Sequence, residues 1–207
     1  MIATLLAGVL AQALEAPAVD EKAGTVSFAA VTLKPEVYAQ LKGVIEYVVV
    51  NKGGKAYESV FESAVDSMAL YEGLKKLGIR PGRPAREEDA RKLPPEGGKV
   101  RISVEWKDGD KARKEPIAAF VLDTVTGKPM ADVDWIFTGS KKGFIHELER
   151  QDLLVQTSKN LVALHHADPT VLATNPTASD DGNRYKANKE LLPKEGTAVR
   201  IVFEAAK

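Results

Sequence analysis

The sequence has no cysteine, and that absence removes disulfides, thiolate metal sites, cysteine nucleophiles and cysteine-ligated iron–sulfur clusters together. It has no excess of either charge, since Lys plus Arg and Asp plus Glu each number 29 among 207 residues. No global field draws in a polyanion, so nucleic acid is not expected as a partner. Histidine is scarce: His146, His165 and His166 are the three. No long apolar run spans a bilayer. Residues 1–13 (MIATLLAGVLAQA) are apolar apart from Thr4 and Gln12, too short for a stop-transfer helix. They suit an export segment, with Ala11-Gln12-Ala13 as a small-x-small cleavage site, although no Lys or Arg precedes them. The alternative is an N-terminal helix packed on the core. Export predicts a periplasmic or secreted protein, with 14–207 as one domain and no transmembrane anchor once the segment is removed.

A composition of 44% hydrophobic and 28% charged residues is that of a chain that can bury a core, which excludes a mostly disordered or polytopic membrane protein. Stretches 26–33 and 44–50 are rich in β-branched residues and end in turn chemistry at Lys34-Pro35 and Asn51-Lys52-Gly53-Gly54, which predicts two strands, the second central. Asp66 followed by Leu70, Leu74 and Leu77, with Gly78 and Pro81 beyond, predicts a helix over 66–77. Segment 83–98 reads as an exposed connection. Val100, Ile102, Val104 and Trp106 alternate with polar residues and run into Asp108-Gly109, a strand and hairpin turn whose return should span 112–122. Further strands are expected at 134–138, 153–157, 161–165 and 199–203. The fold class is therefore α+β: a mostly antiparallel β-sandwich or partly closed barrel of about seven or eight strands with one main helix. One echo, of Leu93-Pro94-Pro95-Glu96-Gly97 in Leu192-Pro193-Lys194-Glu195-Gly196, fits either a duplication or two similar turns before strands.

Gly54-Lys55-Ala56-Tyr57-Glu58-Ser59, Leu70-Tyr71, Leu77-Gly78 with Pro81-Gly82, Trp135-Ile136-Phe137-Thr138-Gly139-Ser140, and Asn188 with Leu192-Pro193 and Gly196-Thr197 together resemble the YdjY family of exported bacterial proteins. The resemblance runs over about 44–204. It implies export and a stand-alone domain and brings no established activity. It also implies histidine in relatives where this chain has Tyr57 and often where it has Tyr71. Any imidazole chemistry there would be lost here, because a phenol with a pKa of about 10 is a poor substitute. A ferredoxin-like label on some relatives conflicts with the lack of cysteine.

The remaining candidates come from the residues themselves. Glu58 lies between apolar Val60-Phe61 and the Gly-rich turn; it is read either as a raised-pKa acid or base or as an acceptor of backbone N–H bonds from the turn. His146 with Glu149, and His166 with Asp168, are the weak candidates for a metal. His165 and His166 on a strand would face opposite sides, so no compact metal site is expected. Asp132 and Asp134 suit a calcium site, an acid–base pair or a solvated strand start. The ligand-binding candidates are Tyr57, Glu58, Trp135, Ser140 and Lys141, with the 138–143 loop read as a binding loop or an ordinary hairpin tip. No cofactor is expected. Three functions stay open: an exported, non-catalytic module for a small ligand or a membrane-bound partner complex; an enzyme with Glu58 and His146 or His165 as an acid–base pair; and a structural scaffold.

Overall fold

The computed structural model describes residues 14–34, 43–84, 94–165, 168–176 and 182–206. The expected export segment, much of the 83–98 connection and His166 lie outside them. In chain order the strands are β1 (Ala18–Asp20), β2 (Thr25–Thr32), β3 (Tyr47–Asn51), β4 (Phe61–Ser63), β5 (Gly98–Asp108), β6 (Lys111–Pro116), β7 (Val121–Asp123), β8 (Lys128–Pro129), β9 (Trp135–Phe137), β10 (Lys142–Ile145), β11 (Arg150–Leu153), β12 (Asn160–Ala163), β13 (Ala173–Thr174), β14 (Tyr185–Ala187) and β15 (Ala198–Ala205). The helices are α1 (Ser67–Lys76) and the single turn α2 (Val155–Ser158).

Eight strands close on themselves in the order β2-β15-β5-β9-β13-β12-β3-β4, with β4 pairing back onto β2. Closure leaves no exposed ladder in this ring, which is how an all-β architecture avoids an unpaired edge. The longest ladders set the register. Val26 lies opposite Phe203 on β15, and Phe203 lies opposite Ile102 on β5. The alternation seen in residues 100–107 is thus continued through three neighbouring strands, and their apolar sides meet one core. That core holds Trp135, Phe61, Phe120, Phe137 and Phe203, all with almost no exposed surface. Phe120 takes the edges of Phe61 and Trp106 at centroid distances of 5.3 and 5.5 Å.

Helix α1 follows the expected boundaries because its cap is strong. Asp66 Oδ1 accepts from the N–H groups of Met68 at 2.8 Å and Ala69 at 3.1 Å, satisfying two donors that the first turn would leave open. Leu70 and Leu74 then reach the core fully buried.

Three expected strands differ in the structure. The return from the Asp108-Gly109 turn stops at Pro116, and a 3-10 helix occupies Ile117–Phe120 before β7 begins. Ile117, Ala118 and Phe120 are all buried, which breaks the alternation of a strand with one face in the core and the other in solvent. The stretch 153–157 divides instead into the end of β11 and the turn α2. The stretch 44–50 enters its ladder only at Tyr47, because Val44 bridges Lys186 and the Ile45 N–H donates to the Tyr185 carbonyl, which ties this part of the chain to β14. The two echoed runs lead into β5 and β15, which are neighbours in the ring.

Candidate functional site

β3 is buried along its whole length, and its residues divide between two clusters. Val48 and Val49 join the main core, whereas Tyr47 and Val50 pack with Ala163 and Val171 in a separate small cluster, covered in part by Ala56 and Leu33. Several polar and charged groups gather around this second cluster. Glu46 precedes β3; Lys55 and Glu58 come from the turn and 3-10 helix after it (Ala56–Glu58); His165 follows β12, and Asp168 lies three residues further along the chain.

The turn can approach because Gly54 has no side chain: a Cβ there would sit 2.8 Å from the Lys159 carbonyl oxygen and 3.1 Å from Asn160 Oδ1. Lys55 is thereby delivered between two carboxylates, with its Nζ 2.8 Å from Glu58 Oε1 and 3.4 Å from Glu46 Oε2, and 5.2 Å from the centroid of the Tyr47 ring. Burial opposes the lysine's charge, but the Glu58 hydrogen bond and the two carboxylates outweigh it and raise its pKa. Glu58 is 8% exposed. Its carboxylate is balanced by the Lys55 ammonium, a partner that the reading in terms of backbone N–H donors had missed.

His165 Nε2 lies 3.7 Å from Glu46 Oε2, a contact too long for a formed hydrogen bond, and that nitrogen is buried with no other partner among the described residues. The facing imidazole is nevertheless the main reason that Glu46 sits below the usual carboxylate range; burial works the other way, and Lys55 adds to the lowering. On the far side of Tyr47, its hydroxyl donates to Asp168 Oδ2 at 2.8 Å. Burial, then the neighbouring Asp168 carboxylate, pushes the Tyr47 phenol far above its ordinary value, so it is a fixed donor rather than an acid. Asp168 Oδ1 takes both the backbone N–H and the hydroxyl of Thr170, at 2.8 and 2.6 Å.

The Trp135–Ser140 run supports this cluster from behind. Trp135 is wholly buried, so its indole offers no surface to a ligand. The Thr138 hydroxyl donates to the carbonyls of Val171 and Leu172, and Ser140 Oγ donates to the Thr170 carbonyl at 2.8 Å while accepting from the Val155 N–H at 3.1 Å. Lys141 is exposed, and its backbone N–H binds the Pro169 carbonyl. Residues 138–141 therefore hold down the loop that carries Asp168. Gly139 is required at the centre: its φ is +79°, and a Cβ would lie 2.5 Å from the Pro81 side chain.

Of the residues singled out in the sequence, Glu58, His165 and Asp168 come together, and Tyr57 interacts with Lys55 beside them. His146 is elsewhere, on an exposed 3-10 turn (His146–Leu148) after β10, stacked edge-on to Phe144 at 5.0 Å, with Glu149 in the left-handed region just beyond. Asp134 pairs with Arg101 at 3.4 Å. Among the described residues no group of three or more His, Asp or Glu side chains is placed to hold a metal ion, and no helix is long and apolar enough to cross a membrane. Glu46, Tyr47 and Lys55 were missed as site residues. Glu46 was the detectable one, as the single charge in the otherwise apolar stretch 44–50.

The sequence matches the family model for the YdjY domain over residues 18–204. No curated protein and no solved structure shows a significant match.

Proposed function

The chain belongs to the YdjY family, and from that premise we propose that it is an exported, non-catalytic module that binds a small polar ligand at the Glu46–Lys55–Glu58–His165 cluster. The observation that carries the reading is His165 Nε2. A buried ring nitrogen without a hydrogen bond costs stability, and here it sits beside Glu46 and Lys55, whose side chains are 30% and 42% exposed. A ligand entering from solvent would complete the imidazole's hydrogen bonding and exchange contacts with the carboxylate and the ammonium. Such a site presents both a donor and acceptors, which suits a ligand carrying hydroxyl, amide or zwitterionic groups. The domain would present this ligand, or itself, to a membrane-bound partner outside the cytoplasm.

The test is an NMR titration of the His165 ring and the Glu46 carboxyl with a panel of amino acids, sugars and small amides. A saturable shift at both groups, lost in His165→Ala, is the expected result. If no compound moves either group, ligand binding at this cluster is wrong. N-terminal sequencing of the protein recovered from its host tests export, with Leu14 expected as the first residue.

The Glu46–His165 contact favours a second reading, in which the cluster works as an acid–base pair. Glu58 connects to it through Lys55, so a proton could be handled within one site. Turnover that disappears in both Glu46→Gln and His165→Asn would favour the enzyme over the binding module.

A further inference from the structure

A cavity elsewhere in the fold shares no residue with the Glu46–His165 cluster. This cavity of about 710 Å³ opens between the end of β2, the β7–β8 hairpin, β14 and the turn at 192–195, a volume within the range of ordinary ligand pockets. Its apolar lining includes Leu33, Leu122 and Leu192, and Lys34, Lys186 and Lys194 also line it. None of these three lysines forms an ion pair among the described residues, where the pairs involve other side chains. Glu190 and Glu195 line the cavity too, but these three lysines still outnumber the glutamates.

Those features select a ligand class. Apolar side chains gain by covering a hydrocarbon body, and a positive excess among the lining residues favours an anion over a neutral molecule of the same shape. A polyanion is less well served, because the two glutamates would repel its extra charge. We propose that this cavity is a binding site for a small organic monoanion with an apolar body, of the type of a medium-chain carboxylate. This site is independent of the polar cluster, so either proposal can fail alone.

The experiment is a titration of the full chain with octanoate, followed by calorimetry and by backbone amide shifts. Saturable binding is expected, with the largest shifts at Leu122, Ala187 and Leu192. Octanoate should bind at least fivefold more tightly than neutral 1-octanol, and each methylene added between hexanoate and octanoate should strengthen binding two- to fourfold, the range expected for burial of about one CH₂. Lys194→Glu and Lys186→Glu should each weaken octanoate about fivefold, whereas Lys111→Glu at the start of β6, which does not line the cavity, should not change it. Thermal unfolding of each variant checks that the fold is intact; Lys194, in an exposed turn, remains the decisive position if Lys186→Glu lowers the midpoint. The proposal is overturned if octanoate does not saturate, if octanol binds equally well, if the shifts fall elsewhere, or if Lys194→Glu behaves like Lys111→Glu.

Discussion

Replacing Ser140 by alanine tests whether the 138–141 segment is there to hold the Asp168 loop. The hydroxyl donates to the Thr170 carbonyl at 2.8 Å and accepts from the buried Val155 N–H at 3.1 Å. Alanine removes both bonds without opening enough room for water, since Ser140 is only 7% exposed. A buried polar group left without a partner costs about 1–3 kcal/mol, so the two together should cost about 3 kcal/mol. In urea, with a slope of roughly 2–3 kcal/mol/M for a domain of this size, the midpoint should fall by about 1 M. Glycine separates hydrogen bonding from backbone strain. Ser140 has φ of +67°, a conformation that costs a side-chain-bearing residue about 1–2 kcal/mol. Ser140→Gly loses the same bonds but relieves that strain, so its loss should be about 2 kcal/mol, smaller than that of alanine. The reasoning is refuted if Ser140→Ala costs less than about 0.5 kcal/mol, the range of an ordinary surface change, or if glycine proves worse than alanine.

Four other outcomes follow from the same geometry. Asp66→Ala should destabilise by about 1 kcal/mol, the usual value of an N-cap, and amide exchange should show Met68 and Ala69 losing protection first. Tyr47→Phe removes the 2.8 Å donor to Asp168 and should cost about 1.5–3 kcal/mol, as for hydrogen bonds to charged groups; a double-mutant cycle with Asp168→Asn should show most of it as coupling. Gly139→Ala combines a positive φ with a Cβ only 2.5 Å from Pro81, so it should destabilise by more than about 2 kcal/mol, read as a lowered thermal midpoint. Glu46 titrates below its ordinary value of 4.5 because His165 faces it. A carboxylate lowered by folding contributes stability that is complete above its unfolded pKa and is lost as the pH falls through the folded one. The stability gap between the wild type and His165→Ala should therefore narrow as the pH drops from about 5 towards 3; a constant gap would mean that the two side chains do not interact.

The helix was legible to within a residue because its signals are local: a capping aspartate, leucines three and four apart, and a terminating glycine act within one segment. The 100–107 strand was legible for the same reason, since one face meets the core and the other meets solvent. The stretches 112–122 and 153–157 were not. In the first, Ile117, Ala118, Phe120 and Val121 are all buried, and in the second the buried Leu153 and Val155 alternate as in a strand although Val155 already begins α2, so hydrophobicity alone does not distinguish a strand from a turn of helix. Of the site, Glu58, His165 and Asp168 stood out by residue type and neighbours. Lys55 looked like part of an ordinary turn, and only the approach of Gly54 to Lys159 and Asn160 places its ammonium between two carboxylates.

The sequence by itself therefore determined what is local or compositional: the absence of thiol chemistry, the neutral charge balance, the capped helix, the main hairpin and the β-rich class. Closure of the ring through β4 and β2, the burial of Trp135 and the meeting of Glu46, Lys55, Glu58 and His165 were decided only in the tertiary structure. Those outcomes depend on pairings between different segments of the chain, such as Thr32 with Phe61, Glu46 with His165 and Tyr47 with Asp168, whose partners are selected by packing and hydrogen-bond geometry rather than by any pattern within one segment.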